Sequence, residues 1–115
     1  MKILNKSKNT ILAGKAELAE NIGARMKGLL GRRSLGQGEA LVIRPCASIH
    51  TFGMRFTIDA VFFDKDNKAI AALHDLKPFR ISGLYPKAKG VVEVPAGTLL
   101  GSQLAVGDEL EFIIT

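Results

Sequence analysis

The stretch "IDAVFFDKDNKAIAALHDL", residues 58–76, restricts the folds open to this chain more than any other. Two apolar runs, Ile58–Phe63 and Ala69–Leu73, are joined by Asp64–Lys68, and Asp66-Asn67 supplies the turn chemistry of a β-hairpin. The near-continuous apolar run at 60–63 predicts a strand covered on both faces, because a half-exposed strand would alternate with polar residues. Material must therefore pack on both sides of this hairpin. At 115 residues, 47% of them hydrophobic, the chain is long enough to supply it as one domain spanning 1–115. Six Phe, one Tyr and no Trp leave most of the core volume to Ile, Leu, Val and Ala.

The remaining pattern is also rich in strands. "KILNKSKNTILAG" reads as two short strands around the polar turn Asn5–Asn9, "ALVIRP" as a strand stopped by Pro45, and "GVVEVP" as a further strand. Thr98–Leu104 suits a short helix, Gly107-Asp108 a turn, and Glu109–Ile114 a last strand. The period changes in "ENIGARMKGLLGRR", where Ile22, Met26, Leu29 and Leu30 fall on one helical face, with Asn21 suited to the N-cap and Gly31 to the stop. The fold class expected is mainly β with a minor α part: an antiparallel, barrel-like or sandwich domain with one principal helix near residues 21–30.

The formal net charge is +5. A basic balance suits nucleic acid, anionic lipid or an acidic partner, but equally a solvated, soluble surface. The chain lacks a helix-turn-helix pattern and has few aromatics for stacking on bases, so no specific nucleic-acid partner is expected. The single Cys46 excludes an internal disulfide and a multi-cysteine metal knuckle. No segment reaches the roughly 18 apolar residues of a membrane span, and Lys6 and Lys8 interrupt the place of a signal-peptide core. A cytoplasmic location is the expectation.

Three segments in order resemble a known family, the uncharacterised "domain of unknown function 192" family, also called uncharacterised protein family 0127. They are Arg25, Gly28, Leu29 and Arg32 in "ARMKGLLGRRSL"; His50, Met54, Ile58, Asp59, Phe62 and Asp64 in "IHTFGMRFTIDAVFFD"; and Glu93, Ala96, Gly97, Gly107 and Asp108 in "VVEVPAG" and "VGDEL". Many members read Trp-Met-Lys-Asn-Thr before the aspartate, so His50-Thr-Phe-Gly-Met54 resembles a separate branch. The resemblance implies a mainly β domain and no settled activity.

The candidate site lies in "PCASIHTFGMRFTIDAVFFD". Asp59 interrupts an apolar strand, and a buried carboxylate must be paired or hydrogen-bonded. Arg25, Arg32, Arg44, Arg55 and His50 are its candidate partners. One reading is a buried Asp–Arg clamp tying helix to sheet. The other is a polar pocket around His50, Met54, Arg55 and Asp59, flanked by Arg25 and Arg32, that accepts an anionic small ligand or a protein partner. The expectation is a non-enzymatic binding or accessory domain with no cofactor. The alternative is a thiol-dependent, hydrolase-like enzyme in which His50 activates Cys46. No metal is expected: His50, His74 and Cys46 lack ligand spacing, and "DKDNKA" lacks the glycine and distal glutamate of a calcium loop.

Overall fold

The structure, a computed structural model, describes residues 1–21, 29, 32 and 34–115. Among the described residues eight strands run in chain order: β1 (Lys2–Asn5), β2 (Thr10–Ala13), β3 (Lys15–Ala19), β4 (Glu39–Ile43), β5 (Ile58–Phe63), β6 (Ala69–Leu76), β7 (Gly90–Pro95) and β8 (Leu110–Ile113). A short helical turn, α1 (Thr98–Gly101), follows β7. Three strands form one sheet in the order β2-β1-β8, and five form a second in the order β3-β4-β7-β5-β6. The two sheets meet where Met1 and Ala16 exchange backbone hydrogen bonds of 2.7 and 3.2 Å. The expected mainly β class is observed, and the barrel is not closed.

The hairpin of the opening stretch forms as expected, with β5 antiparallel to β6 and Asp64–Lys68 as the turn. Asp64 Oδ1 accepts from the backbone N–H of Asp66 at 2.9 Å and of Lys68 at 3.0 Å, while Asn67 takes a φ of 60°. These bonds hold the Asp64 carboxyl below its ordinary range, led by the one from Lys68. Every residue of β5 is buried, because β5 is sandwiched between β6 and β7 and covered on both faces. On one face Val61 and Phe63 pack with Val42, Val92, Ile3, Leu12, Leu99 and Leu110. On the other, Ile58, Ala60 and Phe62 pack with Leu41, Ile43, Val91, Ile49 and Met54.

One strand was not read from the sequence. Residues 15–19 form β3, which pairs parallel with β4 in register Lys15↔Glu39 to Ala19↔Ile43. Ala, Glu and Leu favour helix, so only tertiary pairing makes this segment a strand. The expected helix over 21–30 falls mostly outside the described residues; Leu29 is described, and it is buried in the second core cluster. Among the described residues, no helix is long and apolar enough to cross a membrane.

Candidate binding face

Asp59 lies in β5 between Ile58 and Ala60, and pleating turns it away from their core cluster, toward α1. Its side chain is 1% exposed and accepts three backbone N–H groups: Asp75 on Oδ1 at 2.9 Å, and Gly97 and Leu99 on Oδ2 at 3.0 and 3.1 Å. Asp59 thus fastens the entry of α1 and the end of β6 onto the central strand. This corrects the expected Asp–Arg clamp for its described candidates, Arg32, Arg44 and Arg55. Among the described residues, no hydrogen bond or ion pair joins Asp59 to Arg32, Arg44, Arg55 or His50. Arg44 lies 3.9 Å from Glu20 instead, and Arg25 lies outside the described residues. The physical reason is local: backbone donors near the turn at Gly97, whose φ is 92°, already fill the carboxylate's acceptor sites.

The other candidates separate from Asp59. Met54 is 5% exposed and packs in the opposite core cluster. Arg32 is half-buried, while His50 and Arg55 are exposed. His50 Nδ1 accepts from the Phe52 N–H at 3.3 Å, which leaves Nε2 to carry the proton of the neutral ring. Cys46 is half-buried, and its Sγ donates to the Ser48 carbonyl at 3.1 Å. Among the described residues, no hydrogen bond connects Cys46 with His50 and no group of three or more His, Cys, Asp or Glu could hold a metal.

His50 and Arg55 instead belong to a pair of loops zipped around Thr51. Thr51 is fully buried; its Oγ1 donates to the Lys77 carbonyl at 2.6 Å and accepts the Arg80 N–H at 2.8 Å. Its backbone N–H donates to the Arg80 carbonyl at 2.8 Å. Ser82 continues the zipper, accepting the Ile49 N–H on its hydroxyl at 2.9 Å and donating its own N–H to the Ile49 carbonyl at 2.9 Å. This clamp leaves apolar side chains outside: Phe52 is 44% exposed, Phe79 64% and Ile81 66%. The rings of His50, Phe52 and Phe79 follow one another at centroid distances of 5.5 and 6.2 Å.

The basic character of 77–89 is legible in the sequence, but its junction with the acid-free segment 44–58 was overlooked. Residues 44–58 and 77–89 together hold six Lys or Arg and no Asp or Glu. Residues 2–15 and 25–33 are also basic and free of acid; what sets 44–58 and 77–89 apart is that the fold joins them, beside exposed aromatic rings. A second overlooked group is Glu93 in β7. It is 3% exposed, sits between Leu41 of β4 and Ala60 of β5, and has no hydrogen-bond partner among the described residues. Burial alone raises its pKa to about 7. The sign that marked Asp59, a carboxylate inside an apolar strand, was equally present in "VVEVP".

Known proteins give the context for this geometry. The profile of DUF192, described as "Uncharacterized ACR", matches residues 3–112. A UPF0127 protein of Pyrococcus abyssi is 35% identical over 96% of this chain and 97% of its own length. One of Pyrococcus furiosus is 34% identical over the same shares of both chains. Among solved structures, a protein of unknown function from Novosphingobium aromaticivorans superposes with a TM-score of 0.83 at 20% identity, covering 96% of this chain and 82% of that one. A putative transcription regulator from Sinorhizobium meliloti gives 0.74 at 21% identity, over 84% and 79%. At these identities the two structures carry the fold alone. The sequence matches carry the family: this chain belongs to the uncharacterised DUF192, or UPF0127, family.

Proposed function

We propose that the protein is a non-enzymatic binding domain whose joined loops, 44–58 and 77–83, recognise an anionic ligand or an anionic segment of a partner. One observation carries this reading: Arg55, Lys77 and Arg80 stand, with no carboxylate in either segment, in the two joined loops that expose the rings of Phe52 and Phe79. His50, Arg55 and Arg80 supply donors for a carboxylate or phosphate, and the aromatic faces cover an adjoining apolar part. Met54 serves this site from beneath by packing in the second core cluster, whereas Asp59 anchors α1 on the opposite face of the sheet.

A melt-shift screen of carboxylates, phosphates and nucleotides tests the reading, run beside an oligonucleotide titration at two salt concentrations. A true ligand raises the melting temperature with the logarithm of its concentration. Nucleic acid is expected to bind only weakly at physiological salt, because phosphate contacts alone are salt-sensitive. Submicromolar, sequence-selective binding that survives physiological salt would contradict this, and would extend to this chain the description given to the Sinorhizobium relative.

The thiol-enzyme reading has its own test. Cys46 is half-buried, and among the described residues its Sγ donates to the Ser48 carbonyl and makes no hydrogen bond to His50. Slow alkylation in the folded protein and fast alkylation after denaturation are expected. Rapid labelling at neutral pH that is abolished in His50→Ala would reverse the ranking.

A further inference from the structure

We propose a second ligand site, independent of the loop reading, between the β5–β6 turn and residues 84–89, suited to an amphiphilic anion: a phosphate or carboxylate that carries an apolar or aromatic group. Two cavities adjoin there and share Pro86 and Lys87. One, of about 310 Å³, is walled by Ile70, Leu84 and Tyr85 and is almost wholly apolar. The other, of about 520 Å³, is lined by Asp64, Lys65 and Lys89 besides the shared pair. Both are open to solvent, so a ligand would lie along them and keep one side in water.

The charges in this cleft are uncompensated. Lys65, Lys87 and Lys89 are exposed, and among the described residues none makes an ion pair or side-chain hydrogen bond. The lining's one carboxylate, Asp64, is engaged in the turn by the N–H groups of Asp66 and Lys68. Three ammonium groups against one carboxylate favour an anion.

The frame beneath them is firm. The Lys89 N–H donates to the Phe63 carbonyl at 2.8 Å, and the Ala88 N–H to the Tyr85 carbonyl at 2.9 Å. Tyr85 packs on Phe62 at a centroid distance of 4.7 Å. A Cβ at Gly90, the first residue of β7, would come within 2.6 Å of the Phe63 ring, so the strand that ends this segment lies hard against β5. Leu84, at 70% exposed, gains cover only from something bound. An inorganic anion would leave the apolar half empty, and a neutral amphiphile would leave the lysines unused.

Tyr85 is the only tyrosine and the chain has no tryptophan, so its emission reports from the site itself. Titration with monomeric octyl phosphate is expected to change that emission and to bind roughly tenfold or more tightly than inorganic phosphate or octyl glucoside. The double variant Lys87→Ala/Lys89→Ala, and separately Leu84→Ser, should each weaken octyl phosphate by roughly tenfold. These side chains are exposed, so unchanged melting temperatures confirm folding. Arg55→Ala should leave this affinity unchanged, which separates the site from the loop face. Equal affinity for octyl glucoside, indifference to the lysine variant, loss in Arg55→Ala, or a response only to phosphatidylglycerol vesicles would overturn the proposal.

Discussion

Asp59→Ala is expected to lower the stability of the fold by about 3 kcal/mol, with the loss visible as an early thermal melt and a reduced urea midpoint. The substitution strands the N–H groups of Asp75, Gly97 and Leu99 at once, in a place that is 1% exposed. A buried donor left unmade costs about 1–3 kcal/mol, and partial access of water near Asp75 and Gly97 keeps the sum toward the lower end of three such losses. Asp59→Asn should cost less, because its amide oxygen can still accept from Gly97 and Leu99 while its NH₂ group opposes the Asp75 N–H. Equal stability of Asp59→Ala and the parent would contradict the anchoring role.

The second large effect comes from Glu93. Its folded pKa, about 7, stands above the ordinary 4.5 because burial penalises the charged form. Between those two values the unfolded chain has released the proton and the folded chain still holds it, so stability falls as pH rises. The contribution is fully present below about pH 4.5 and is lost by about pH 7, a change of about 3 kcal/mol. Asp64 and Asp108 act in the opposite sense at lower pH. Burial raises Asp108, but Lys8, the Ala105 N–H and Asn5 outweigh it and hold the carboxyl below its ordinary value. Their stabilisation is present above 3.8 and is lost as pH falls through their lowered values. Urea midpoints of the parent minus those of Glu93→Gln, measured from pH 4 to 8, isolate the Glu93 contribution. A flat difference across that range would show that Glu93 titrates like an exposed glutamate.

The sequence disclosed the strands whose packing is local. The run Ile58–Phe63 announced a strand buried on both faces, and Asp66-Asn67 announced its turn, because both follow from neighbours in the chain. It did not disclose β3, whose composition favours helix and whose strand state comes from pairing with residues more than 20 positions away. Asp59 was visible as a carboxylate in need of partners, but its partners were not. Side-chain types cannot show that backbone donors from residues 75, 97 and 99 converge on one strand. The same limit hid the binding face. The lack of acidic residues in 44–58 and 77–89 can be read directly, but only the Thr51 clamp joins the two segments and leaves Phe52 and Phe79 outside.

The loop face itself is tested most directly by titrating an anionic ligand taken from the melt-shift screen into the parent and into Arg55→Ala/Arg80→Ala. Both arginines are exposed and neither side chain holds another part of the fold, so the double variant should keep the parent's melting temperature without ligand. With ligand, affinity is expected to fall by roughly tenfold or more, the scale of hydrogen bonds to charged groups. An unchanged ligand-induced shift in the double variant would contradict recognition by these loops.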